Sequence, residues 1–85
     1  MFYVYYLNSK KFKDQYYVGY TANLKMRFEQ HNKGLSSSTK PFIPWNLIFY
    51  EAYKSRKDAK RRELYFKTTK GKKALKLMLQ YSLIE

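Results

Sequence analysis

Cysteine is absent from these 85 residues, so neither a disulfide framework nor a cysteine-based zinc site is available. Histidine occurs once, at His31, which excludes a site built from several imidazoles. No run approaches the roughly 18 apolar residues of a membrane span. The apolar start, Met1 to Leu7, is too short and too soon followed by Lys10 and Lys11 for a signal peptide. A cytoplasmic location and no membrane partner are the corresponding expectations. Acid is scarce too. The six carboxylates are Asp14, Glu29, Glu51, Asp58, Glu63 and Glu85, and none form a D-x-D pair or another close cluster. Two-metal chemistry on phosphates needs several convergent carboxylates. Any metal chemistry here therefore rests on one carboxylate, with water and substrate phosphate completing the shell, which suits Mg²⁺.

Positive charge is what the chain has in excess. Eighteen Lys and Arg against six acids give a formal charge of +12. Such a charge repels itself in a compact state, so it points to a use, and a polyanionic partner is the simplest one. A composition 45% hydrophobic and 20% aromatic argues against disorder. A chain this short is expected to be one domain, residues 1–85, burying about 60–65% of its unfolded surface. A two-domain enzyme with an elaborate cofactor cleft is excluded.

Phe2 to Leu7 is all aromatic, aliphatic or β-branched and predicts a buried strand. Asn8 to Asp14 is a polar loop, and Gln15 to Tyr20 a second strand, so a hairpin is expected. With its loop centred near residue 11, Tyr5 faces Tyr17 and Tyr3 faces Gly19. Alternation then puts Tyr3, Tyr5, Tyr17 and Gly19 on one face, the glycine leaving space beside two tyrosines. Thr21 or Asn23 caps a helix carrying Leu24, Phe28 and His31 on one stripe, and Gly34 ends it. Residues 35–44 form a Ser-rich loop bounded by prolines, expected to be mobile. Trp45 to Tyr53 is a third strand. Ser55 caps a second helix over about residues 56–68, Gly71 interrupts, and a short last helix carries Leu75, Met78 and Leu79. The order β-β-α-β-α-α predicts an α/β (α+β) fold, a small three-stranded antiparallel sheet flanked by helices.

Tyr3-Val4-Tyr5, then Tyr17-Val18-Gly19, then Arg27 and His31, then Glu63 resemble, in order and spacing, the GIY-YIG nuclease superfamily, most closely its small single-domain members. Thr21, Leu24, Gly34, the Thr39 to Pro44 loop leading into Leu47 and Tyr50, and Ala59, Glu63 and Lys67 extend the likeness from Phe2 to about Leu79. The first motif departs in having Tyr3 where the family has glycine. The polar residue, typically Asn, that the family places late in the domain is not assigned. The resemblance implies hydrolysis of DNA phosphodiester bonds with one divalent metal, Mg²⁺ or Mn²⁺.

The residues can also be read by their own chemistry. Tyr5 and Tyr17 carry phenols that can hold or deprotonate a water. A phenol near pKa 10 is a weak base in solution, and a metal and nearby cations favour the phenolate. With ten tyrosines, packing is the commoner role for any single one. The cross-strand pairing and the motif single these two out. Which one is the base stays open, with Tyr5 favoured. Arg27 and His31, four residues apart, share a helix face. There Arg27 can clamp a phosphate, and His31 can hydrogen-bond a tyrosine or relay a proton. The plainer alternatives are a solvated arginine and a histidine stabilised by the helix dipole. Glu63 falls on the inward stripe Ala59, Glu63, Phe66, where an apolar residue is expected. A buried acid needs a partner, and a metal ion supplies one. Lys67 or Arg27 could also pair with it.

Gly19, Lys40, Arg61 and Lys67 are the candidate nucleic-acid contacts, beside lysines and arginines crowding residues 54–62 and 70–76. Trp45 and Phe42 either stack on a base or pack under the sheet. With no room for an added DNA-binding domain, recognition of DNA structure (branches, flaps or damage) is expected, with a partner protein as another source of specificity. Repair, recombination and mobile-element processing all fit. Two other readings compete: a non-catalytic nucleic-acid-binding module that kept the fold, and a small basic structural protein held by charge alone. The latter leaves Glu63 and the paired tyrosines unexplained.

Overall fold

The computed structural model describes residues 1–84, and Glu85 lies outside them. Three antiparallel strands form one sheet in the order β2-β1-β3, with β1 (Phe2–Ser9) central, β2 (Tyr16–Thr21) at one edge and β3 (Trp45–Tyr53) at the other. Helices α1 (Leu24–Asn32), α2 (Arg56–Phe66) and α3 (Thr69–Met78) complete the β-β-α-β-α-α order expected from the sequence. No helix among the described residues is long and apolar enough to cross a membrane.

The central strand is buried on both sides, which is why Phe2 to Leu7 has no polar alternation. Its even residues Val4 and Tyr6 join Val18, Ala59, Phe66, Leu75 and Leu79 in one core, under α2 and α3. Its odd residues Tyr5 and Leu7 join Trp45 in a second core, covered by Leu24 and Phe28 of α1 and by Phe42 and Ile43. Trp45 is thus a packed core residue, with Phe42 edge-on to its ring at 6.3 Å.

The hairpin register differs from the expected one by two residues. Tyr5 faces Gly19, Leu7 faces Tyr17, and Tyr3 faces Thr21. The loop centre moves to residue 12 because Ser9 organises the turn. Its Oγ accepts from the Lys11 and Phe12 amides at 3.2 and 3.0 Å, and its own amide donates to the Gln15 carbonyl at 3.0 Å. A two-residue slip preserves side-chain parity, so Tyr3, Tyr5, Tyr17 and Gly19 still share a face.

Caps set the helix starts. Asn23 accepts from the Met26 amide, Ser55 from Lys57 and Thr68 from Gly71. Helix α1 ends as anticipated, with Gly34 following at φ +74°. Two expectations about the helices need correction. The second helix stops at Phe66, and Gly71 lies inside α3 rather than interrupting the chain before it. The 35–44 segment carries a 3-10 turn, Lys40–Phe42, and is tied inward. Thr39 is buried, its carbonyl accepts from Trp45 Nε1 at 3.1 Å, and the Phe42 carbonyl accepts from Ser9 Oγ at 2.7 Å.

Candidate active site

The face shared by Tyr5, Tyr17 and Gly19 meets α1 where His31 points inward. The Tyr5 and Tyr17 ring centroids are 6.2 Å apart, and His31 lies 5.7 and 5.0 Å from them. Gly19 makes this possible. A Cβ there would stand 2.5 Å from the Tyr5 oxygen and 2.9 Å from Tyr17 Cε2. The space the sequence assigned to this glycine is filled by the phenol of its cross-strand neighbour, and backbone and ring cannot both keep their places around a methyl group.

His31 is 0% exposed and bonded at both nitrogens, Nε2 to the Tyr5 hydroxyl at 2.9 Å and Nδ1 to Thr39 Oγ1 at 2.8 Å. One tautomer satisfies the whole chain. Tyr5 donates to Nε2, Nδ1–H donates to Thr39 Oγ1, and Thr39 donates to the Ser36 carbonyl at 3.4 Å. Burial first, and then the Arg27 guanidinium, lower the imidazole pKa to about 4, so the ring is neutral and the dipole-stabilised cation does not form.

Tyr5 is 1% exposed. Burial, followed by Tyr17, pushes its phenol up to about 12 against the pull of Arg27. Cations do favour the phenolate, as expected, but desolvation outweighs them. Tyr5 thus holds its proton, and half-buried Tyr17 is the more accessible phenol. Arg27 is partly buried, acts electrostatically on both Tyr5 and His31, and is steadied by Gln30 Oε1 at 3.2 Å.

The titration of His31 has a direct consequence. The folded pKa lies below the unfolded value, so the unfolded chain binds the extra proton and stability falls as pH drops through the interval from 6.5 to about 4. The full loss from this group is about 3 kcal/mol, at 1.36 kcal/mol per unit. Urea melts at neutral and acid pH should show it, and His31→Gln should flatten the pH dependence. Parallel slopes for parent and variant would rule out a buried neutral imidazole.

Glu63 occupies the inward stripe of α2 between Ala59 and Phe66, as its position predicts, and is 6% exposed. Its Oε2 accepts from Lys67 Nζ at 3.0 Å, and Lys60 Nζ is 3.6 Å from Oε1. Pairing is with these lysines and not with Arg27. Glu63 Oε1 is nonetheless buried without a hydrogen-bond partner. Only the Lys60 ammonium at 3.6 Å offsets its charge, so this oxygen keeps a lone pair for a further ligand. The carboxylate also adds to the upward pressure on the Tyr5 phenol, which ties α2 to the tyrosine cluster. Lys67 bridges the two, its ammonium 5.9 Å from the Tyr17 ring centre. Among the described residues no three His, Cys, Asp or Glu side chains converge; Glu63 is the carboxylate beside the tyrosine cluster, and its oxygens are of the kind a hard cation takes.

Tyr5, Tyr17, Gly19, Arg27, His31, Glu63 and Lys67 are therefore brought together. Arg61 is exposed and paired with Asp58 at 2.8 Å, and Lys40 is exposed with its stem near Gly34. Neither joins the cluster by a contact among the described residues. Thr39 is the participant that sequence reasoning missed. It sits after three serines in what reads as a polar connector, and only its burial against His31 distinguishes it. Asn32 was also missed. It accepts from the Trp45 amide at 2.6 Å and donates to the Trp45 carbonyl at 3.2 Å, fixing the end of α1 to the start of β3.

Known proteins share this chain's pattern. It is similar to a UPF0213 protein of Clostridium perfringens, 33% identical over 86 residues that span 100% of this chain and 90% of the relative. A UPF0213 protein of Pediococcus acidilactici is 35% identical over 65 residues, 73% of this chain and 66% of its own length. One from Staphylococcus aureus is 35% identical over 63 residues, 73% of this chain and 77% of its own. No solved structure matches. The model of the GIY-YIG catalytic domain matches residues 1–76, the span that holds every strand and all the residues around His31 and Glu63, and the chain belongs to the GIY-YIG family.

Proposed function

We propose that the protein is a metal-dependent endonuclease that hydrolyses DNA phosphodiester bonds and selects DNA structure more than sequence. The observation that carries this reading is the buried Glu63 carboxylate, whose Oε1 accepts no hydrogen bond and has only the Lys60 ammonium at 3.6 Å, beside a cluster of two tyrosines, an arginine and a lysine. A protein that only binds phosphate has no use for a buried carboxylate beside its phosphate-binding cations.

Each side chain has a task. Arg27 binds the scissile phosphate and stabilises the charge that grows on its oxygens. Tyr17 acts as the general base that takes the proton of the attacking water. The new bond forms between water oxygen and phosphorus, and the bond from phosphorus to the 3′-oxygen breaks. Tyr5 keeps its proton, donates to His31 and holds the cluster's geometry. Glu63 would hold Mg²⁺ or Mn²⁺, whose chemistry is to neutralise phosphate charge as a Lewis acid. The charge of +12 supplies the backbone affinity.

One observation favours the non-catalytic module instead. Lys67 and Lys60 already compensate the Glu63 charge, as in a structural ion pair. The test is incubation with branched, nicked and linear DNA, with and without Mg²⁺ or Mn²⁺, beside Glu63→Ala. Metal-dependent cleavage that falls by about 100-fold or more in a folded Glu63→Ala protein supports the nuclease. Salt-sensitive binding without cleavage under either metal establishes the binding module. Undiminished cleavage by the variant removes Glu63 from the metal site.

A further inference from the structure

We propose that the recess between the β1–β2 hairpin and α3 is a second nucleic-acid subsite, which receives a single-stranded extension of the DNA leaving the active site. The direction of the strand rests on the nuclease reading; the binding itself does not. The recess holds about 500 Å³ and is lined by Tyr6, Tyr16, Lys13, Lys72 and Lys76 over Leu75. Tyr6 and Tyr16 stack with centroids 5.2 Å apart and planes 8° from parallel, so buried Tyr6 backs the 39% exposed Tyr16, whose ring is the aromatic wall. Three lysines face one acid there, Asp14.

A smaller recess of about 220 Å³ shares Tyr16 and Lys72 with it and is also lined by Tyr17 and Lys67. The two recesses thus adjoin at Tyr16 and Lys72, one beside the candidate base and the other at the aromatic wall. A lysine-flanked aromatic wall is what unstacked bases and their phosphates need, and such contacts tolerate any sequence. A duplex, with its bases stacked inward, cannot present one to a recess of this size, whereas a single strand can. The Tyr6 phenol, pushed up to about 12 by burial and then by Tyr16, remains a hydrogen-bond donor at every physiological pH. A merely solvated lysine face would need neither the recess nor the stacked pair.

Anisotropy of a labelled oligothymidylate and of a labelled blunt duplex, both in EDTA, tests the subsite without any cleavage. Tyr16 is 39% exposed, so Tyr16→Ala should fold normally. It should weaken oligothymidylate binding about 5- to 10-fold, and duplex binding less than about twofold. Tyr16→Phe should match the parent, because stacking does not need the hydroxyl. Lys76→Glu, an exposed change, should weaken the single strand with a reduced salt dependence. Unchanged oligothymidylate affinity in both Tyr16→Ala and Lys76→Glu overturns the proposal, as does an equal loss on the duplex. Thymidine monophosphate competing as well as the oligomer, nucleotide for nucleotide, overturns it in favour of a mononucleotide site. If the protein cleaves DNA, Tyr16→Ala should also remove its preference for a flapped over a nicked duplex. An unchanged preference separates the recess from the strand's path. Absence of all cleavage defeats the nuclease reading and leaves the binding result standing.

Discussion

Tyr17→Phe should lower DNA cleavage by about 10²- to 10⁴-fold, the usual contribution of a positioned general base, while leaving stability nearly unchanged. Tyr5→Phe should do the reverse. The two ring centroids lie 6.2 Å apart, but their surroundings differ. Tyr5 is buried and bonded to His31 at 2.9 Å. Removing its hydroxyl strands a buried ring nitrogen, a loss of about 1–3 kcal/mol. Tyr17 is half-buried, adjoins the open recess beside Lys67, and is the one that solvent and substrate can reach. Rates and urea melts on both variants decide the assignment. If Tyr5→Phe stays folded and loses activity while Tyr17→Phe keeps it, the roles are exchanged.

Gly71→Ala should destabilise the fold even though alanine is the better helix former. A Cβ at Gly71 would stand 2.6 Å from the Tyr65 carbonyl carbon and 2.7 Å from Phe66 Cα, and closer still to the Tyr65 carbonyl oxygen. These are backbone atoms of the last turn of α2, with no rotamer to yield. Alanine gains about 1 kcal/mol of helix propensity. Overpacking against backbone costs about 3 kcal/mol. The net loss of about 2 kcal/mol corresponds to a Tm lower by roughly 10 °C in a domain of this size. The displaced residue would be Phe66, which is 1% exposed and part of the larger core. A Tm equal to or above the parent's would mean that α2 and α3 separate more easily than their contact implies.

Gly71 also shows where local reasoning stops. Read alone, a glycine between two helical patterns marks a break. In the fold it is the point where α3 touches the end of α2, and the helix runs through it with Thr68 as its cap. The hairpin is similar. Parity, and hence which tyrosines share a face, follows from alternation. The pairing itself depends on the Ser9 side chain, whose turn bonds are invisible in a pattern of apolar residues. The Ser-rich loop reads as a mobile connector because its composition is polar, yet His31 and Trp45 recruit Thr39 inward.

By itself the sequence determined the element order, the inward place of Glu63 on its helix and the shared face of Tyr5, Tyr17 and Gly19. These follow from periods of 2 and 3.6 residues, which are local properties of the backbone. It also determined the net charge of +12. Only the tertiary structure decided that Tyr5 keeps its proton, that His31 is neutral and bonded to Thr39, and that Glu63 is buried beside the tyrosine cluster. Each of these depends on desolvation and on neighbours distant in sequence, and both arise only when the strands and helices have closed on one another.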